Sequence, residues 1–145
     1  MNRAADILNG ARLLIVEDEY LLAQEMADYF ENLGTEIVGP VGTVARALDL
    51  IASSRIQVAV LDVNLRDERV YPVAEALTLK QIPFVFASGY GSELEPDVYA
   101  EAPRCIKPIE FAALAKTLGE ADQIERVGRP YDTTGSIRSV AYPTA

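Results

Sequence analysis

The feature that most constrains this chain is a set of short apolar runs that do not alternate with polar residues. Residues 12–16, 57–61 and 83–87 are apolar nearly throughout. A strand with one face in water alternates, whereas a strand buried on both faces reads as a continuous run. Two shorter runs, 36–41 and 104–106, are read as further strands. Between them the apolar spacing becomes helical. Leu22, Met26, Tyr29, Phe30 and Leu33 share one face, with Gly34 as a stop. Val44, Ala47, Leu48 and Ile51 follow Thr43, a suitable N-cap. A third helix is expected over about 68–80, with Pro72 in its first turn or delaying its start. Residues 92–102 are weakly helical, limited by Pro96 and Pro103, and 109–121 form a last helix presenting Phe111, Leu114, Ala115 and Leu118. Strand–helix alternation of this kind predicts an α/β fold: a doubly wound, five-stranded parallel sheet with a shortened fourth helix. Ligands of such folds bind outside the carboxyl ends of the strands.

The 145 residues divide into a leader at 1–11, one domain at 12–121 and a flexible, mostly extended tail at 122–145. The tail is rich in Gly, Pro, Ser and Thr and is too short for a DNA-binding output domain. No apolar run approaches the roughly 20 residues of a membrane span, and no basic-then-apolar signal opens the chain. No membrane partner is therefore expected, and the cytoplasm is the expected location. The single cysteine, Cys105, cannot form an internal disulfide and reads as a core filler. A net charge of −9 argues against a nucleic-acid partner. The absence of histidine excludes a Ser-His-Asp triad, a His-ligated metal and a phosphohistidine donor within the chain. Hard-cation chemistry on carboxylates remains open.

The strand ends carry that chemistry. Glu17 and Asp18 follow the first strand, Asp62 the third, Ser88 the fourth and Lys107 the fifth. Three carboxylates on one rim repel one another unless a divalent cation neutralises them, and Mg²⁺ (or Mn²⁺) suits oxygen ligands. An Asp carboxylate attacks phosphorus to form an acyl phosphate when the added charge is stabilised. The cation covers one phosphoryl oxygen, the Lys107 ammonium another, and the Ser88 hydroxyl with backbone N–H groups the third.

In LLIVEDE, VAVLDVNL, FASGYG and CIKP, in that order, the chain resembles the receiver domains of bacterial two-component response regulators over about residues 11–121. The resemblance implies a flavodoxin-like (βα)5 receiver fold with Asp62 as phosphoacceptor and Asp18 as direct metal ligand. It implies that Glu17 acts largely through metal-bound water and that Asn64 gives its backbone carbonyl. Ser88 takes the switch-hydroxyl position and Lys107 the family's lysine position. The implied partners are a sensor histidine kinase or a histidine phosphotransfer protein, and an unidentified downstream protein, with homodimerisation open. Two departures stand out. Arg104 occupies the place, three residues before the lysine, where the family commonly has an aromatic switch residue. FASGYG looks like a subgroup with FATGY-type motifs, so Tyr90 or ordering of its loop is expected to take over the switch.

Read singly, each residue has a plain alternative. Glu17 and Asp18 suit a helix-starting turn, Ser88 a turn before Gly89, and Lys107 a solvated surface. Their company on one rim decides for the site. The expected role is that of a stand-alone phosphoryl-accepting module in a phosphorelay. It is not an enzyme on separate substrates, although it catalyses its own phosphorylation and dephosphorylation. A receiver-like binding module working unphosphorylated is one alternative. A haloacid-dehalogenase-type phosphatase is another, but that class wants a second acid two residues after the nucleophile, where Asn64 stands.

Overall fold

The computed structural model describes residues 3–89, 99 and 102–127. Five parallel strands form its centre: β1 (Arg12–Val16), β2 (Glu36–Val41), β3 (Val58–Asp62), β6 (Phe84–Ser88) and β7 (Arg104–Ile106). Their order across the sheet is β2-β1-β3-β6-β7, so the winding reverses between β1 and β3. That is the flavodoxin-like order, with its crevice at the carboxyl ends of β1 and β3. Leu13, Leu14 and Ile15 on β1, Val58, Ala59 and Leu61 on β3, and Phe84, Val85 and Phe86 on β6 are fully buried. Burial on both faces explains why these runs do not alternate.

The helices follow from the expected signals. α2 (Tyr20–Asn32) buries Ala23, Met26, Ala27 and Phe30, and the chain turns at Gly34 with φ +86°. That left-handed backbone calls for glycine, whereas the nearest atom to an added Cβ is only the movable tip of the exposed Asn9 side chain. α3 (Val44–Ser53) starts where Thr43 Oγ1 accepts the Arg46 N–H at 3.2 Å.

Two expected boundaries move. The third crossover helix, expected from about 68, is α4 (Tyr71–Leu79), with Pro72 at its start. The residues before it form a short antiparallel ribbon instead, β4 (Asn64–Leu65) with β5 (Glu68–Arg69). The Val70 N–H donates to the Val63 carbonyl at 3.1 Å, closing the ribbon before the helix begins. The last helix, α5 (Phe111–Val127), runs past 121, so the first part of the expected tail is helical. The leader is helical too. α1 (Arg3–Leu8) packs on α5, and Leu8 and Ala11 are fully buried. The weak helix expected over 92–102 falls largely outside the described residues.

Behind α4, Tyr99 stacks on Tyr71, with ring centroids 5.5 Å apart and 7° between planes, and meets Phe84 and Phe86 edge-on. Burial, then the Glu75 and Tyr71 neighbours, raise the Tyr99 phenol above its usual range. Among the described residues no helix is long and apolar enough to cross a membrane.

Candidate phosphoryl and metal site

The rim is built by neighbouring strands stopping together. Asp62 and Ser88 are the last residues of β3 and β6, and Ala87 is in register with Asp62. The Glu17 N–H donates to the Val41 carbonyl at 2.9 Å, and the Lys107 N–H to the Ser88 carbonyl at 2.7 Å. The Val63 N–H donates to the Ala87 carbonyl at 3.0 Å. These bonds extend the sheet by one step and fix where each chemical side chain leaves it.

Glu17, Asp18 and Asp62 each place a carboxylate oxygen within 4.8 Å of the others. Glu17 and Asp62 are both 4% exposed, while Asp18 is half-buried. Lys107 Nζ lies 3.2 Å from Glu17 Oε1 and 3.3 Å from Asp62 Oδ2, so one ammonium serves both buried acids. The other oxygens face backbone: Glu17 Oε2 accepts the Glu19 N–H at 3.0 Å, and Asp62 Oδ1 accepts the Asn64 N–H at 3.2 Å. Asn64 thus sits beside Asp62 through its backbone.

One cation against three acids leaves the rim short of positive charge. Burial, followed by repulsion from Glu17, pushes the Asp62 carboxyl from 3.8 to about 7, against the pull of Lys107. Burial alone would lower the Lys107 ammonium, but Asp62 and Glu17 outweigh it and raise it. Glu17 Oε1 is buried, and its contact is the ion pair with Lys107. Ser88 Oγ is buried without a partner. A buried polar atom left unpaired costs free energy unless something arrives to use it.

The three clustered carboxylate oxygens, two of them on buried acids that share a single ammonium, fit a hard divalent cation. Carboxylates, a hydroxyl and an ammonium around a buried Asp suit phosphoryl chemistry. The structure thus brings together five of the residues expected from sequence, with Asn64 adjacent. Tyr90 lies outside the described residues. Arg104 is exposed on β7, the edge strand.

Glu68 went unread in the sequence. Its Oε2 accepts the Val44 N–H at 2.9 Å and ties the ribbon to the start of α3. The only local signal was its place in the polar run 66–69.

Comparison with known proteins agrees with the geometry. No family model and no curated protein matches the chain. Among solved structures, it is similar to SdrG from Sphingomonas melonis Fr1, at 41% identity and a TM-score of 0.69, covering 79% of this chain and 98% of that one. It is similar to the BeF3-activated conformation of SdrG from Pseudomonas melonis Fr1, at 43% identity and a TM-score of 0.60, covering 74% and 92%. The CheY-like response regulator receiver domain protein from Methanospirillum hungatei JF-1 shares the fold at 24% identity and a TM-score of 0.71, covering 83% and 100%. The chain belongs to the response regulator receiver domains of two-component systems. Receiver domains bind Mg²⁺ at an acidic pocket, and the cluster of Glu17, Asp18 and Asp62 fits that pocket.

Proposed function

We propose that this receiver domain takes a phosphoryl group onto Asp62 and signals through the resulting change in its surface. The observation that carries this reading is the sharing of Lys107 between Glu17 and Asp62 on a rim where three carboxylates converge. Asp18 and Asp62 would hold Mg²⁺ (or Mn²⁺) directly, Glu17 largely through water, and Asn64 by its carbonyl. When bound, the cation supplies charge neutralisation for the carboxylates and for a phosphoryl oxygen. The chain's own residues do the rest. The Asn64 N–H orients Asp62 as the nucleophile. Lys107, already within ion-pair distance of Asp62, follows the charge as it moves onto the phosphoryl oxygens. Ser88 Oγ, buried and unpaired, has a hydroxyl to donate to a third oxygen.

The donor in a phosphorelay would be a histidine kinase or a histidine phosphotransfer protein, since the chain contains no histidine of its own. Ser88 moving towards the new charge would shift the surface around β6 and β7 and change the affinity for a downstream protein. The exposure of Arg104 at the usual aromatic position supports a FATGY-type switch, carried by Tyr90 or by ordering of its loop. That the 43%-identical SdrG has a BeF3-activated conformation supports an activated state for this chain as well.

The test uses Mg²⁺ and acetyl phosphate, with the intact mass followed over time. An adduct of about 80 Da is expected on the wild type and none on Asp62→Asn, as acyl phosphate formation on a single nucleophile requires. An adduct that survives Asp62→Asn would overturn the assignment. A downstream response unaffected by Asp62→Asn would favour the unphosphorylated binding module instead.

A further inference from the structure

Beside the carboxylate cluster lies a second feature that the phosphoacceptor chemistry leaves unused. A cleft of about 330 Å³ opens between the start of α3 and the β4–β5 ribbon, lined by Asp18, Gly42, Thr43, Arg46, Arg66, Asp67 and Glu68. Its volume suits a small ligand. Asp18 is common to this cleft and to the carboxylate cluster, so the two spaces adjoin. At Gly42 a Cβ would stand 3.2 Å from Asp18 Cα, so the close approach of the two backbones leaves little room for a side chain there.

The charges of the cleft are not paired off. Asp18 belongs to the carboxylate cluster, and Glu68 accepts the Val44 N–H at the start of α3. Arg46 and Arg66 are exposed, and among the described residues neither forms an ion pair. Asp67, also exposed, is the remaining acid of the lining. Arg46 on α3 and Arg66 between β4 and β5 therefore line, from two elements, a cleft that shares Asp18 with the acidic rim. A guanidinium matches a planar carboxylate through two parallel N–H donors.

We propose that Arg46 and Arg66 form a lip that receives the carboxylate leaving group of a small acyl phosphate, making this chain selective for such donors. The proposal rests on the phosphoacceptor reading of Asp62. In the transfer, a bond forms between an Asp62 carboxylate oxygen and phosphorus while the bond from phosphorus to the acyl oxygen breaks. The acyl oxygen keeps the electron pair, and the leaving group departs as a carboxylate anion. Negative charge grows on that leaving group, where a guanidinium stabilises the transition state more than the ground state. Phosphoramidate transfers the same phosphoryl group, but its P–N bond breaks and the nitrogen departs with its protons as ammonia. It offers the lip no anion.

The experiment compares initial rates of the adduct on Asp62 from acetyl phosphate and from phosphoramidate, at fixed Mg²⁺, for wild type, Arg46→Gln, Arg66→Gln and the double variant. The expected result is a fall of about tenfold in the acetyl phosphate to phosphoramidate rate ratio in the double variant, the size of one lost charge-assisted contact. Arg46→Lys with Arg66→Lys should recover part of that ratio, because charge is kept while the fork is lost. A ratio unchanged in the double variant, with the wild type phosphorylated, overturns the lip and leaves the acceptor reading intact. Failure of both donors to modify the wild type overturns both. If the ratio is unchanged while a phosphohistidine protein loses rate, the arginines serve protein docking and the proposal is wrong.

Discussion

The two ends of the sheet are built on opposite terms. At the end where the strands begin, polar groups are matched and the chain is held down. Thr35 Oγ1 donates to the Leu8 carbonyl at 3.0 Å, the Gly10 N–H to the Gly34 carbonyl at 2.8 Å, and Arg12 Nε to the Arg55 carbonyl. Leu8 and Ala11 are fully buried there, and α1 packs on α5. At the end where the strands stop, two acids are buried under one shared lysine, and Glu17 Oε1 and Ser88 Oγ lack hydrogen bonds. One end spends its residues on stability; the other tolerates electrostatic crowding that Lys107 and a proton on Asp62 relieve only in part. Proteins commonly break local rules where they function and compensate elsewhere.

The comparison is sharpened by substitution at each end. Leu8→Ala, which empties a fully buried position, should cost about 2–4 kcal/mol in a denaturant titration. Its Mg²⁺ affinity at pH 8 should stay within about twofold of wild type, because the site lies at the opposite end of the sheet. A Leu8→Ala protein that loses Mg²⁺ binding while still folded would show that the ends are not independent.

Acidity distinguishes the ends next. Folding raises the Asp62 carboxyl from 3.8 to about 7, so the folded protein holds this proton more tightly than the unfolded chain. The stability from that group is complete below the unfolded value and is lost as pH rises through the folded one. The Mg²⁺-free protein should melt at a lower temperature at pH 8 than at pH 5.5, and Asp62→Asn should flatten that slope. Added Mg²⁺ should raise the melting temperature more at pH 8, since a proton competes with the cation at lower pH. Calorimetry with and without EDTA checks both, and an equal slope in Asp62→Asn would place the crowding elsewhere.

The smallest effect belongs to the ribbon that joins the regions. Glu68→Ala removes the carboxylate that accepts the Val44 N–H and should cost about 1 kcal/mol, the ordinary loss of a helix cap. A much larger cost, seen in the same denaturant titration, would make the ribbon part of the core.

How much of this was legible beforehand follows from what each segment leans on. The central strands were plain because burial on both faces writes an unbroken apolar run into the sequence. Thr43 and Pro72 marked helix starts because capping and proline geometry are local effects. The rim residues were legible because each follows a strand, and strands in a parallel sheet end on one side. That Lys107 divides itself between Glu17 and Asp62 was not, since spacing carries no side-chain geometry. The β4–β5 ribbon escaped because two-residue strands show no period. The extra turns of α5 escaped because their support is tertiary: residues 122–127 are mostly polar, yet Asp122 is buried and the helix leans on α1. The stack of Tyr71 on Tyr99 joins residues far apart in the chain, and neither position is marked by its neighbours.

The packing of α1 on α5 has a consequence for how the protein is tethered. α1 feeds β1 from the end of the sheet opposite the rim, and α5, having left β7 at the rim, runs back to meet it. The chain thus enters and leaves the described domain on the same side, with at least one strand length, about 17 Å, between that side and Asp62. A fluorescent label, a surface anchor or a fused domain attached where the described domain begins or ends, at the start of α1 or the end of α5, would hold the module by its base. The phosphoacceptor would face outward, open to whichever donor arrives.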